Sequence, residues 1–186
     1  MRDSLTVLAG LLILALAAAL VAPYFMDWNA HRADVEHRLT QALGAPVVVE
    51  GAIDLRLLPT PTLDLEKISV GKPGGRRAVA QSAHVEIAVM PLLRGQIEII
   101  EAKLERPYFE LNLDMLGAAG SGDAQAVRIE RVVLRDARFD LRAGDKLVQL
   151  GRIDLDARAA SLAGPFKGEG AMINEGERTP FRFSTA

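Results

Sequence analysis

A mainly β fold behind a short helical start is what this sequence predicts, and three observations carry the prediction. From Val47 onward, apolar and charged residues alternate with a period of two, as in Ile53-Asp54-Leu55-Arg56 and Ile153-Asp154-Leu155-Asp156. The alternating runs are short and punctuated by Pro and Gly. Before Val47 the pattern is of another kind, first an uncharged apolar stretch and then a helical periodicity.

The apolar stretch comes first in the chain. No charge falls between Ser4 and Met26, and Leu5 to Met26 would reach about 33 Å as a helix, against a hydrocarbon core of about 30 Å. Its seven Leu with Val7, Ile13, Val21 and Phe25 favour insertion by about 3 to 7 kcal/mol. Residues 1–26 are therefore expected to be a transmembrane anchor. The competing reading is a cleaved signal peptide ending among Ala17, Ala18, Ala19 and Ala22. Against it stand the length of the run, the near absence of a basic n-region beyond Arg2, and Pro23 directly after Ala22. Tyr24 and Trp28 sit where an interfacial aromatic belt belongs.

Residues 27–44 predict a short amphipathic helix. Trp28, Val35, Leu39 and Leu43 fall near one face, Asp27 or Asn29 can cap its start, and Gly44 followed by Pro46 ends it.

Residues 45–186 predict a twisted antiparallel sheet that forms an open groove. Ile53, Leu55 and Leu57 share one face of a strand that Leu58-Pro59 closes, because Pro has no N–H for a ladder. Leu63 and Leu65 share a face, and the phase then slips at Lys67 to Ile68 and Val70, as a bulge would make it do. Val85, Ile87 and Val89 lead to a Pro91 break, followed by Ile97 and Ile99, a slip at Ile100, then Ala102 and Leu104. After Pro107 come Phe109, Leu111, Leu113 and Met115. Further runs through Leu134 to Leu141, Leu147 to Ala157 and Phe166 to Phe183 bring the expectation to eight to ten strands in an antiparallel meander.

Composition excludes several function classes. A net charge of −2 with scattered Lys and Arg lacks the basic footprint of a nucleic-acid binder. The absence of cysteine removes disulfides and thiolate metal sites. His31, His37 and His84 form no metal-binding spacing, and no nucleotide-binding glycine motif or G-x-S-x-G elbow is present. Asp154 and Asp156 read as a solvated strand face rather than an acid–base pair. No catalytic residue, metal or cofactor is expected.

What remains is the apolar face itself, rich in Leu, Ile, Val and Ala with aromatic residues at only 5%. A dry sandwich core is the plain reading. A single helix as cover, however, favours an aliphatic trough in which an acyl chain gains about 0.8 kcal/mol per buried methylene. Parity alone assigns Ile53, Leu55, Leu57, Val85, Ile87, Val89, Phe109, Leu111 and Leu113 to its lining.

The run "RLTQALGAPVVVEGAIDLRLLPTPTLDLEKISV" and the later "VMPLLRGQIEIIEAKLERPYFEL" carry a resemblance to the AsmA family of bacterial envelope proteins. It rests on Gly44, Val47 to Val49, Gly51, Leu57 to Pro61, Leu63, Leu65, Pro91 to Gly95, Ile97, Ile99, Leu104, Pro107 and Leu111, and covers about residues 1–116. Where many members carry Asn-Trp after the last of these strands, this chain has "GAAGSGD". The resemblance implies a single-pass, inner-membrane-anchored periplasmic protein of outer-membrane biogenesis, the N-terminal portion of a longer architecture. It implies phospholipid and the inner membrane as partners, with outer-membrane or periplasmic envelope proteins as further candidates. The expectation is a non-enzymatic protein that binds or conducts phospholipid along its groove between the two membranes. The alternatives are a scaffold for outer-membrane protein assembly that binds no lipid, and a periplasmic hydrolase.

Overall fold

A computed structural model describes residues 7, 10, 11, 13, 14, 27–57, 59–73, 76–92, 94, 96–112, 128–144, 146–159, 166–174 and 177–185. A 3-10 turn, Trp28–His31, leads into helix α1, Arg32–Leu43. The Asp27 carboxylate caps the turn, accepting from the Asn29 N–H at 3.0 Å. Gly44 ends the helix at φ 64°, a left-handed conformation open to a residue without Cβ. The expected amphipathic helix is thus present as α1, with Trp28–His31 forming a separate 3-10 turn before it.

Ten strands form one sheet: β1 Val47–Val49, β2 Ile53–Arg56, β3 Thr62–Gly71, β4 Arg76–Ile87, β5 Glu98–Glu105, β6 Tyr108–Asn112, β7 Arg128–Ala143, β8 Lys146–Ala159, β9 Phe166–Asn174 and β10 Glu177–Ser184. A four-residue helix, α2 (Val89–Leu92), separates β4 from β5. The order is β1-β3-β4-β5-β7-β8-β9-β10, with β2 beside β3 and β6 between β4 and β7. So β1 and β2 are two lengths of one edge strand, and β5 and β6 are two lengths of one inner strand.

Two expectations need correction. The sheet is not wholly antiparallel, because β5 and β6 run parallel to β7. Alternation marks a strand but carries no direction, and a parallel neighbour requires a long connection, here the stretch from Asn112 to Arg128. Val89 does not extend β4; it begins α2, where Pro91 sits in the first turn and its missing N–H costs no helical bond.

Of the two phase slips read from the sequence, the one at Ile100 is a separate irregularity, where β5 carries an extra residue between its pairings with Glu86 and Ile87, and the one at Lys67 belongs to a feature that crosses several strands. Lys67 in β3, Arg106 between β5 and β6, Asp136 in β7 and Arg152 in β8 all have φ between 49° and 54°. Each stands where its strand changes the parity of its apolar residues, from Leu65 to Ile68, Leu104 to Pro107, Leu134 to Ala137 and Ile153 to Leu150. Strand β4 makes the same step between Ala83 and Ala80. Register places these steps side by side, forming a crease that runs across the strands. On β7 and β8 it takes the form of two register shifts that offset one another. Gly51, between β1 and β2, lies on this line, where a Cβ would come within 2.5 Å of Glu66.

Of the apolar N-terminal segment, Val7, Gly10, Leu11, Ile13 and Leu14 are described, all helical, with the four larger side chains 59–68% exposed. Among the described residues no helix is long and apolar enough to cross a membrane. Most of Leu5 to Met26 lies outside them, so the expected anchor does too.

Candidate functional site

Cross-strand register turns the one-strand alternation into a continuous surface. Leu55, Leu63, Val85, Ala102, Val132, Ala157, Gly168 and Phe183 stand opposite one another in a single rung across eight strands. The next rung on the same face reads Ile53, Leu65, Ala83, Leu104, Leu134, Leu155, Gly170 and Phe181. At about 4.8 Å per strand spacing, each rung is a band some 34 Å long with no charged side chain in it. Between them, on the opposite face, runs Asp54, Asp64, His84, Lys103, Val133, Asp156, Glu169 and Arg182.

Helix α1 covers only one end of the apolar bands. Trp28, Val35, Leu39 and Leu43 pack on Val47, Val49, Ile53, Leu65, Ile68, Ala80 and Ala83, which are all buried. Its polar side chains satisfy the outer edge of β1 at four-residue spacing. Arg32 donates to the Val49 carbonyl, Glu36 accepts from the Val49 N–H at 2.7 Å, and Thr40 accepts from the Val47 N–H at 3.0 Å. Asn29 accepts from the Ile53 N–H at 3.2 Å. A helix that takes these bonds removes the edge as a template for further pairing.

Past α1 the apolar face is closed only in part. Leu134, Ala137 and Ile153 are buried, while Leu104, Phe109, Val132, Phe139, Leu150, Leu155, Met172 and Phe181 pack around them half-exposed. Phe109 and Phe139 stack at 4.8 Å between ring centroids. In β9, Gly170 lets the Phe181 ring lie against the strand, since a Cβ there would meet the ring at 2.7 Å.

The parity-assigned lining residues fall in several places. Leu55 and Val85 share the outer rung and are half-buried, while Ile53 is buried beneath α1. Leu57 and Ile87 stand half-buried at the strand ends, and Val89 projects from α2 with 43% exposure. Phe109 and Leu111 lie beyond the crease in β6, half-buried, with Leu111 opposite Leu141. Leu113 is outside the described residues. The residues that join these into a band, Ala102, Val132, Leu155 and Phe181, are missed by parity within one strand because only register links them.

The charged face is held by ion pairs. Arg131 of β7 bridges Glu101 of β5 at 3.0 Å and Asp156 of β8 at 2.5 Å. This guanidinium holds the Asp156 carboxyl below the usual carboxylate range. His84 hydrogen-bonds Asp64 at 2.5 Å and faces Glu86 at 3.7 Å, so its pKa is raised, by the Asp64 hydrogen bond above all. Tyr108 donates to Asp140 at 2.8 Å, and that bond raises the phenol. A shallow cavity of about 710 Å³ between β8 and β10 is lined on this face by Arg135, Asp154, Asp156, Glu169, Arg178 and Arg182. Its acids are engaged, Asp154 with Arg178 at 3.4 Å and Glu169 with Arg182 at 3.7 Å. Leu155, Gly170 and Phe181 of the second apolar rung also line it, so it reaches the edge of that band.

In a comparison with known families, the AsmA family model matches residues 1–120, well over half of the 186. The chain belongs to the AsmA family. No curated protein and no solved structure matches it. AsmA membership points to a role in envelope biogenesis or lipid transport.

Proposed function

We propose that this AsmA-family chain binds phospholipid along the apolar face of its sheet and conducts it from the inner membrane toward the outer membrane. The observation that carries the reading is the register. Two adjacent rungs of eight residues are apolar throughout, and among the described residues a helix packs on the Ile53, Leu65 and Ala83 end of the inner one. The path runs across the strands, so its length is set by the number of strands and not by the length of any one. Acyl chains lying on it gain about 0.8 kcal/mol per buried methylene, without a specific contact. No single residue is therefore essential to passage, and no catalytic group, metal or cofactor takes part.

In this reading residues 5–26 hold the chain in the inner membrane with residues 45–186 in the periplasm, and α1 closes the membrane-proximal end of the groove. Lipid then enters the face without crossing water. Outer-membrane or periplasmic envelope proteins are the further partners.

The test is native mass spectrometry of the chain released from mild detergent, with extraction of co-purified lipid. Phospholipid bound near one per chain, lost on Leu155→Asp or Leu111→Asp and kept on Leu155→Ala, is the expected result. A folded chain free of lipid, or one whose lipid survives both Asp substitutions, overturns the groove and leaves the scaffold reading in its place.

A further inference from the structure

The apolar side chains most exposed in the β domain include a cluster that the groove does not use. Between β4 and β5 the chain makes an excursion in which Val89 is 43%, Met90 63% and Ile97 52% exposed. From Val89 to Ile97 the sequence carries one charge, Arg94, also exposed. Backbone hydrogen bonds tie the excursion at its base. The Ala88 N–H donates to the Glu98 carbonyl at 2.8 Å and closes the base, the Ile87 N–H donates to the Pro61 carbonyl at 2.9 Å, and the Pro91 carbonyl accepts from both Arg94 and Gln96. A hydrogen-bonded turn presenting branched and thioether side chains with one cation is chemistry suited to the boundary between headgroups and acyl chains.

Its position selects the occupant. Asn29, three residues after the apolar N-terminal segment, accepts a hydrogen bond from the Ile53 N–H at the start of β2. Three residues further, about 10 Å along the strand, β2 ends at Arg56, at the same end of the sheet as the β4–β5 excursion. The segment Leu5 to Met26 is therefore joined to the domain on the side where these apolar residues project. The β7–β8 hairpin at the opposite end carries Leu147 and Val148, exposed by 50% and 52%, far from Asn29 and the β2 end.

We propose that the turn formed by Val89, Met90 and Ile97 seats in the surface of the bilayer that holds the N-terminal segment, with Arg94 at the phosphate level, as a second contact that fixes the tilt of the sheet on the membrane. The proposal rests on the reading of residues 5–26 as a bilayer anchor and goes beyond it, since an anchor alone leaves the domain free to swing. A fixed tilt holds the open rung beside Leu55 and Val85 against the lipid.

The chain has no cysteine, so single-cysteine variants label cleanly. An environment-sensitive fluorophore is placed in the full chain at Met90→Cys, at Val148→Cys on the opposite end, and at Leu14→Cys in the N-terminal segment. Each is reconstituted in phosphatidylethanolamine–phosphatidylglycerol vesicles with or without nitroxide-labelled lipid. The expected result is quenching of about two-fold or more at Met90 and Leu14, and none at Val148. Quenching at Leu14 with Met90 matching Val148 overturns the turn contact and leaves the anchor standing. Quenching at Met90 and Val148 alike overturns it too, as adhesion without orientation. An unquenched Leu14 overturns the anchor, and an unquenched Met90 overturns the turn contact whatever Leu14 does. A Val89→Asp/Ile97→Asp variant, altered only at exposed positions, is expected to return the Met90 label to water while leaving Leu14 quenched.

Discussion

The two ends of the apolar face are built from the same rung and treated differently. Under α1, Ile53 and Leu65 are 4% and 2% exposed, and the β1 edge beside them has its backbone groups taken by Arg32, Glu36 and Thr40. At the far end of that rung Leu155 and Phe181 are half-exposed, and no helix among the described residues packs on them. The difference teaches that alternation alone does not make a core. A strand's apolar parity makes a face, and burial depends on whether another element is placed over it.

Truncation sharpens this contrast most. Leu65→Ala is expected to cost about 2–4 kcal/mol, because a closed site cannot collapse around the lost atoms. Leu155→Ala is expected to cost about 1 kcal/mol or less, since its surroundings are already partly solvated. Urea melts of the two variants measure the gap, and equal losses would erase the distinction between the ends. Opening the capped end is the converse. Val35→Ser/Leu39→Ser removes apolar contacts from α1 and is expected to raise the fluorescence of a bound hydrophobic dye severalfold, whereas serines at Leu147 and Val148, already exposed, leave it unchanged.

The crease gives a smaller effect that belongs to neither end. Lys67 holds φ 50° without being glycine. Lys67→Gly is expected to gain about 0.5–1 kcal/mol and Lys67→Val to lose about 1–2 kcal/mol, read as shifts in the thermal midpoint. The smallest effect is on pH. Because the Asp64 hydrogen bond raises the folded-state pKa of His84, the stability it adds is complete below the ordinary histidine value of 6.5 and fades as pH rises through the raised one. The pair is more than a third exposed, so its worth is below about 1 kcal/mol. Melts of wild type and His84→Gln should therefore differ at pH 5.5 and converge above pH 8, and a difference that grew with pH would contradict the assignment.

Strand identity, the amphipathic helix and the family were legible because each rests on spacing along the chain. The apolar positions at Trp28, Val35, Leu39 and Leu43 do face the sheet, and Asp27 and Gly44 do bound the helix. What was not legible depends on neighbours distant in sequence. The parallel pairing of β5 with β7 follows from where the chain returns after Asn112, which local alternation cannot state. Val89 continues the parity of Val85 and Ile87, yet the Pro61 and Glu98 carbonyls take the N–H groups of Ile87 and Ala88 and turn the chain away. The apolar face was legible one strand at a time. Ile53 and Leu55 differ by a single step of parity-equivalent position, and only α1, lying over Ile53, separates a core residue from a half-open one.

The crease also makes the sheet inheritable in one direction and brittle in the other. Every strand that crosses it changes phase at the same height, so a hairpin can join the side of the sheet without disturbing its neighbours, provided its pairing stops at that line, as the β8–β9 pairing does at Ile153 and Met172, or steps where they step. A residue gained or lost along any one strand instead throws half of that strand out of phase with both neighbours and turns leucines outward on one side of the line. Damage at Lys67, Arg106, Asp136 or Arg152 should therefore spread sideways from strand to strand, and such a sheet tolerates growth in width far better than any change in the length of its strands.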